Sequence, residues 1–563
     1  MHSRVDDVRR PRWAAAALSG LLLTLCTASW AAAQVSRVQE TPAVAPADAF
    51  SAGGVRGVLE QGQHLENARR WAEALSLYEE SLRDFPDSEP LRQRQDVARL
   101  HYCLERRYAD QSFLQSVETL NGPQALALYH ELLRKIDAHY VQAPPWARLA
   151  SRGSAALDLA LSDPSFCRAH LLAGRPDRLA GFRGDLFRLT AERAVEGPKD
   201  LVQLASDVAA LAEQRLGLRP AAAVLEFVTA AGGGLDDYSA YLTAGQLRDV
   251  YSQIEGNFVG LGVELKADRG ALLIVHVIPG SPAERAGILD GDRITAVDGT
   301  STAQLSTEEA AALLTGEEGT YVRVTAVTAG GSERILTVRR EHVEVPGLED
   351  VKILAADYGI AYVKIPAFQK STARDLEAAL WDLHRQGMRS LILDLRGNPG
   401  GLLTASVEVA DKFLTQGGIV STRGRSPQED FNYQAHYGGT WRVPLVVLID
   451  RDSASASEIF AGAIRDNRRG DVIGERSFGK GSVQGIFPLG YAGAGIRLTT
   501  AQFYSPSGQQ ISRQGVLPTQ QVTVAARPIY GAAATSRPQA SADAILEAGL
   551  EAARRRLASR TDP

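Results

Sequence analysis

The stretch Val443–Ile449 (VPLVVLI) is apolar at almost every position, and the polar run DRDSASAS follows it at once. A strand with one wet face alternates apolar and polar residues. A strand that is apolar throughout is buried on both faces, as in a parallel sheet with helices on each side. Gly359–Ile365 (GIAYVKI) and Ser390–Leu395 (SLILDL) read the same way, with a helix-like Ala373–Gln386 between them. Ser455–Arg465 again has helical spacing. Strand–helix alternation of this kind restricts residues 346–527 to an α/β core with parallel crossovers.

The rest of the chain reads differently. A length of 563 residues is too great for one core. The fold class expected is multidomain α+β. Residues 1–33 read as a signal peptide, 34–54 as an Ala/Pro/Gly-rich linker and 55–234 as a helical region. Residues 235–255 read as lead-in helices, 256–345 as short alternating strands with one helix at Thr307–Leu314, and 528–563 as an Ala-rich tail ending in a helix. Within the helical region, Gly62, Trp71, Ala74, Tyr78, Ser81 and Pro86 fall where a tetratricopeptide repeat places its small, aromatic and closing residues. One copy is present. A single copy cannot build a solenoid, so it is expected to pack on the helices that follow, with a docking surface as the functional alternative.

A net charge of −5 gives no reason to expect nucleic acid as a partner. Arg4, Arg9, Arg10 and Arg12 precede the apolar Trp13–Cys26, and Ala31-Ala32-Ala33 offers a small-residue cleavage site. That order is a secretory leader, or, uncleaved, a membrane anchor over residues 13–33. Export to the periplasm or cell envelope follows. Cys103 and Cys167 lie in helical-looking segments without a metal-site pattern, and spacing leaves a bridge or two free thiols open.

The chemistry gathers at two junctions. Ser453, Ser455 and Ser457 alternate where the strand Val443–Ile449 meets the next helix. A serine there sits beside unsatisfied N–H groups and the positive end of the helix dipole, which suits a developing oxyanion or an ordinary N-cap. Upstream, LDLRGNPGGLL is a strand, a turn containing Gly400 and Gly401, and a helix; it could bring amides close to a substrate or hold a phosphate. No GxxxxGK[ST] pattern is present, and no cofactor is expected.

A serine nucleophile needs a base. None of the ten histidines lies beyond His436, none carries a motif, and G-x-S-x-G is absent. The chain has 8 lysines against 53 arginines, yet SFGKGSVQ sets Lys480 between two glycines. Unlike arginine, a desolvated lysine can give up its proton and act as a base. Phe478 and Val483 are the neighbours expected to exclude water, and Gln484 could orient the amine without adding charge. A chance surface lysine is the alternative.

Asn257–Val263 (NFVGLGV) followed by IPGSPAERAGILDGDRITAVDG resembles a PDZ domain, with Phe258, Val259, Gly260, Leu261 and Gly262 as the peptide-binding segment. The resemblance implies that a C-terminal carboxylate sits at a glycine-rich turn while the peptide adds as a strand. SASASEIFAGAIRDN, VIGERSFGKGSVQ and LDLRGNPGG together resemble the C-terminal processing (tail-specific) peptidases over about residues 235–527. That resemblance implies a crotonase-like core, Ser455 as nucleophile, Lys480 as base and Gln484 as its orienting residue. It also implies oxyanion donors at Ala456 and in the Gly400-Gly401 turn, and a supporting Asp466. Partners are then protein or peptide substrates with accessible C-termini, with an adaptor or self-association through the N-terminal helices as further options. A non-catalytic binding protein on the same fold and a small-molecule or Ser-His hydrolase are the competing readings.

Overall fold

The computed structural model describes residues 21–24, 48–170, 176–268, 271–303, 311, 313–328, 330–436, 438–522 and 543–561. Its central sheet sets the strands Ile360–Lys364, Ser390–Asp394, Leu445–Ile449 and Asp471–Gly474 side by side and parallel. Glu349–Ala355 closes one edge antiparallel, and Gln520–Gln521 closes the other. Successive side chains point to opposite faces of a strand. Leu445, Val447 and Ile449 therefore meet Phe460 and Leu376 of the helices Ala456–Asp466 and Thr372–Arg385. Val446 and Leu448 turn the other way, onto Ile545, Ala552 and Ala553 of the C-terminal helix Ala544–Thr561. Both faces are covered, which is why these strands show no alternation.

A second, antiparallel sheet stands against this layer. In it Ser482–Pro488 pairs with Gly495–Tyr504, which pairs in turn with Gly418–Gly424. The backbone of Leu21–Thr24 fills the slot between Gly401–Leu402 and Ser482–Pro488, antiparallel to each. The rest of the expected leader and anchor lies outside the described residues. Among the described residues no helix is long and apolar enough to cross a membrane.

The helical region is joined to this sheet through one shared core. Leu128, Leu132, Leu204, Val224 and Phe227 from its helices pack in the same cluster as Phe487, Leu489, Ile496 and Leu498 from the sheet. The first helix runs Asp48–Asn67, so it begins inside the segment expected to be a linker. Gly53-Gly54 does not end it; the chain kinks at Gly54, where φ is +52°. Trp71, Ala74, Tyr78 and Ser81 are all buried, and a methyl on Gly62 would lie 2.0 Å from the Tyr78 hydroxyl. Cys103 and Cys167 are free thiols.

Between the two regions, residues 263–339 form a small sheet in the order Val263–Asp268, Ala271–Val277, Arg293–Val297, Tyr321–Val327, Glu333–Arg339. Val263–Asp268 is an edge strand whose one strand partner among the described residues is Ala271–Val277. Most of the expected helix at Thr307–Leu314 falls outside the described residues.

Candidate active site

Ser455 sits at the turn between the strand Leu445–Ile449 and the helix Ala456–Asp466, with φ +59° and ψ −113°. A non-glycine residue held there costs on the order of 1–3 kcal/mol, and the surrounding bonds must enforce it. Asn398 supplies several of them. Its carbonyl accepts from Ala454 N–H at 3.0 Å and from Ser457 Oγ at 3.1 Å, and its side chain donates to Ile365 O at 2.8 Å. Ser453 spends its hydroxyl on Leu395 O at 2.8 Å. Of the alternating serines, 453 and 457 brace the turn, and 455 is the one held on the strained backbone.

Gly400 and Gly401 lie directly against this turn, with φ +114° and +135°. A methyl on Gly400 would stand 2.7 Å from Ser455 Cβ and 3.1 Å from Ala456 N; one on Gly401 would stand 2.2 Å from Phe368 O. Glycine is required at both. The Gly400 amide, however, donates to Asn398 Oδ1 at 2.8 Å. The neighbouring asparagine engages that proton, and the absence of a side chain at Gly400 gives the clearance that lets the two turns touch.

Lys480 is fully buried, as are Ser455 and Gln484. The loop that carries it is fastened to the Ser455 turn through the Glu458 carboxylate. One oxygen of Glu458 accepts from Ser455 N–H at 2.8 Å and from Lys480 N–H at 2.9 Å. The other accepts from Ser477 Oγ at 2.6 Å and Gly479 N–H at 2.7 Å. Burial pushes the Glu458 carboxyl above the usual carboxylate range, while these four donors pull it down. A single side chain thus fixes both the Ser455 turn and the Lys480 loop.

Two neighbours of Lys480 differ from expectation. Phe478 is 41% exposed, whereas Val483, three positions after Lys480, is fully buried. An aromatic cover comes from elsewhere: the Tyr238 ring centroid lies 4.9 Å from Lys480 Nζ. Gln484 donates to Ser482 Oγ at 2.9 Å and Ser482 O at 3.2 Å. Residues two apart share a strand face, so Ser482 is its nearest polar partner. The Gln484 Oε1 atom is buried and accepts from none of the described residues.

Asp466 ends the helix that Ser455 begins, about 16 Å along its axis at 1.5 Å per residue. There it binds Arg465 Nε at 2.8 Å and Ser507 N–H at 3.1 Å, and bonds from Ser505 and Ser507 hold its carboxyl below the usual range against its burial. It fastens a distant loop and does not join the serine and lysine. His436 is exposed and lies beside Asp411.

In the small sheet, Leu261 is buried, and a methyl on Gly262 (φ +83°) would lie 2.3 Å from Ser281 Cβ. Phe258, Val259 and Gly260 pair with Val343, His342 and Glu341 in a two-stranded ribbon at the mouth of the module. Their backbones serve that ribbon, and Val263–Asp268 keeps one edge without a strand partner among the described residues.

The family model "Peptidase family S41" matches residues 359–522, and the PDZ domain model matches residues 273–328. A carboxyl-terminal-processing protease of Picosynechococcus is 35% identical over 291 residues, covering 51% of this chain and 70% of that protein. The chain belongs to peptidase family S41. It therefore carries a serine peptidase unit and a PDZ domain. A carboxy-terminal-processing protease of Bartonella bacilliformis is 39% identical, over 50% of this chain and 66% of that protein; one of Synechocystis is 35% identical, over 52% and 67%. The chain thus spans only about two thirds of these relatives, and they match about half of it. A solved photosystem II D1 C-terminal processing protease matches 71% of the chain at 26% identity with a TM-score of 0.37.

Sequence reasoning missed three residues of this S41 site. Glu458 was within reach, since Ser455-x-x-Glu458 spells a capping box. Asn398 sits inside a motif whose glycines drew the attention. Tyr238 lies 242 positions before Lys480 in the numbering, and no local pattern connects them.

Proposed function

We propose that this chain is an exported serine endopeptidase that takes C-terminal segments of proteins through its PDZ domain and cleaves them by acyl-enzyme chemistry. Ser455 Oγ attacks the scissile carbonyl carbon as its proton passes to a neutral Lys480 Nζ. The amides of Gly401 and Ala456 receive the oxyanion. Lys480 then protonates the leaving amine as the C–N bond breaks, and a water that it deprotonates releases the acyl group. Gln484 Oε1 is the acceptor that would hold the amine once a substrate is in place.

The observation that carries this reading is the Glu458 oxygen shared by the Ser455 and Lys480 amides, beside a nucleophile turn at φ +59°. The slot between Gly401–Leu402 and Gln484–Ile486 supports the substrate's path, since a strand already fits there antiparallel to both edges. The resemblance to the C-terminal processing peptidases implies a crotonase-like core, with which the parallel strand order agrees; the Gly62–Tyr78 contact supports a tetratricopeptide-like hairpin, which we read as a dock for a substrate or partner. A chain lacking residues 55–110 should then lose cleavage of folded or complexed proteins and keep that of a short peptide; equal losses would assign those helices a structural role.

The central test is casein digestion by wild type, Ser455→Ala, Lys480→Ala and His436→Ala. Both Ser455→Ala and Lys480→Ala should be inactive and His436→Ala unaffected. An active Lys480→Ala enzyme, or an inactive wild type, would overturn the reading.

A further inference from the structure

Tyr238 belongs to neither the serine turn nor the lysine loop. It sits in the segment Leu235–Ser239, which leaves the helical region and enters the short strand Ala240–Leu242 on the edge of Gly495–Tyr504. Asp236 Oδ1 accepts from the N–H groups of Tyr238 and Ser239 at 2.9 and 2.7 Å, which sets the turn. Arg497 Nε donates to Tyr238 O at 2.7 Å, and Thr499 N–H to Ser239 Oγ at 3.2 Å.

The helices grip the same segment from the other side. Tyr140 Oη donates to Leu235 O at 3.2 Å, Arg148 reaches Gly234 O and Leu235 O at 3.2 and 3.3 Å, and Arg99 pairs with Asp237 at 2.5 Å. The phenol ring is thus held in place by two regions of the molecule, over an amine that is fully buried. Fixing an aromatic face against one particular buried amine does more than close a surface.

We propose that Tyr238 is a positioning residue for Lys480: its ring, held by the helical region, caps Nζ and stabilises the ammonium form that arises when the serine proton is transferred. An aromatic face attracts a cation and is indifferent to a neutral amine. The ring therefore favours the charged state reached during catalysis and keeps the amine pointed toward the cleft. This inference rests on Lys480 being the base.

Among the described residues, the charged and titratable groups around the pair are the Glu458 carboxylate at the Lys480 amide, Arg497 beneath the Tyr238 carbonyl, Asp236 and Asp237 in the Tyr238 segment, Arg99 paired with Asp237, and Tyr140 and Arg148 at the Leu235 carbonyl. Tyr238→Leu and Tyr238→Phe leave all of them in place. The experiment is the pH dependence of kcat/KM on a short chromogenic peptide. In Tyr238→Leu the acid limb should move to lower pH by about half to one unit, because the ammonium has lost its aromatic partner. In Tyr238→Phe it should stay with wild type. Tyr238→Met replaces the leucine variant where that chain does not fold. A limb that stays in place or moves to higher pH in the ringless variant overturns the proposal, as does an equal shift in Tyr238→Phe. Failure of the base assignment itself would appear separately, as activity retained in Lys480→Ala.

Discussion

Glu458 is buried with four donors directed at its two oxygens, and each donor belongs to a segment that must not move. Glu458→Gln keeps the shape but turns an NH2 group toward N–H and O–H donors. A buried mismatch of this kind costs about 2–4 kcal/mol, read as a lower midpoint in denaturant. Displacing the lysine loop by about an ångström should lower kcat/KM by about a hundredfold, and Glu458→Ala should be no better than Glu458→Gln. At this scale the sequence revealed groups whose chemistry is unusual for their surroundings: one of few lysines in an arginine-rich chain, and a serine at a helix start. It did not reveal groups that work by holding others. Asn398 and Glu458 are ordinary residue types whose importance lies in which backbone groups they reach, and those groups come together only on folding. Gln484 was identified as an amide of the right kind, but its bond to Ser482 depends on strand pleat and could not be told from spacing.

Among the elements, the first helical hairpin is fixed by the contact of Gly62 with Tyr78. Gly62→Ala should destabilise it by about 1–3 kcal/mol, since the methyl overlaps the buried phenol. Faster proteolysis confined to residues 48–109 would check this. Deeper in the helical region, Tyr108 Oη lies 3.3 Å from His170 Nε2 and donates to Glu226 at 3.0 Å. Burial, with Arg219 nearby, lowers the His170 pKa to about 4. Its folded pKa thus lies below its unfolded value, so the unfolded chain takes up the proton first. The stability it contributes is present above about pH 6.5 and is lost as the pH falls toward 4. Glu226, raised by burial, has the opposite sign. Melting points of wild type should accordingly fall more steeply from pH 7 to pH 5 than those of His170→Gln. Parallel slopes would exclude the linkage. The long elements were legible because burial on both faces, or on one face of a helix, leaves a periodic trace. The kink at Gly54 was not, because a glycine pair marks a chain end and a bend alike.

Over the whole molecule, the turn that leads to Gly400 and Gly401 and the C-terminal helix are tied together. Arg396 bonds the Asp394 carboxylate through Nε and Nη2 at 2.6–3.0 Å and reaches Asp543, just before the last helix, at 2.7 and 2.9 Å. Asp394 is also held by Tyr362 Oη at 2.8 Å. Arg396→Ala leaves that buried carboxylate without its cation and should cost about 3–5 kcal/mol. Asp543→Asn, at the exposed end, should cost about 0–1 kcal/mol, with faster hydrogen exchange along Ala544–Thr561 as its signature. The PDZ module has its own core, centred on Leu272, Ile274, Val322 and Val324, and so could have been recognised from its sequence alone. The helical region could not be weighed that way, because its apolar faces are completed by Phe487, Leu489, Ile496 and Leu498 from the far end of the chain. Those four residues extend the hairpin that bears Gln484. Transplanting this protease onto a shorter leader would therefore strip that hairpin of its covering and leave it greasy, so that the chimaera would clump before its activity could be assayed.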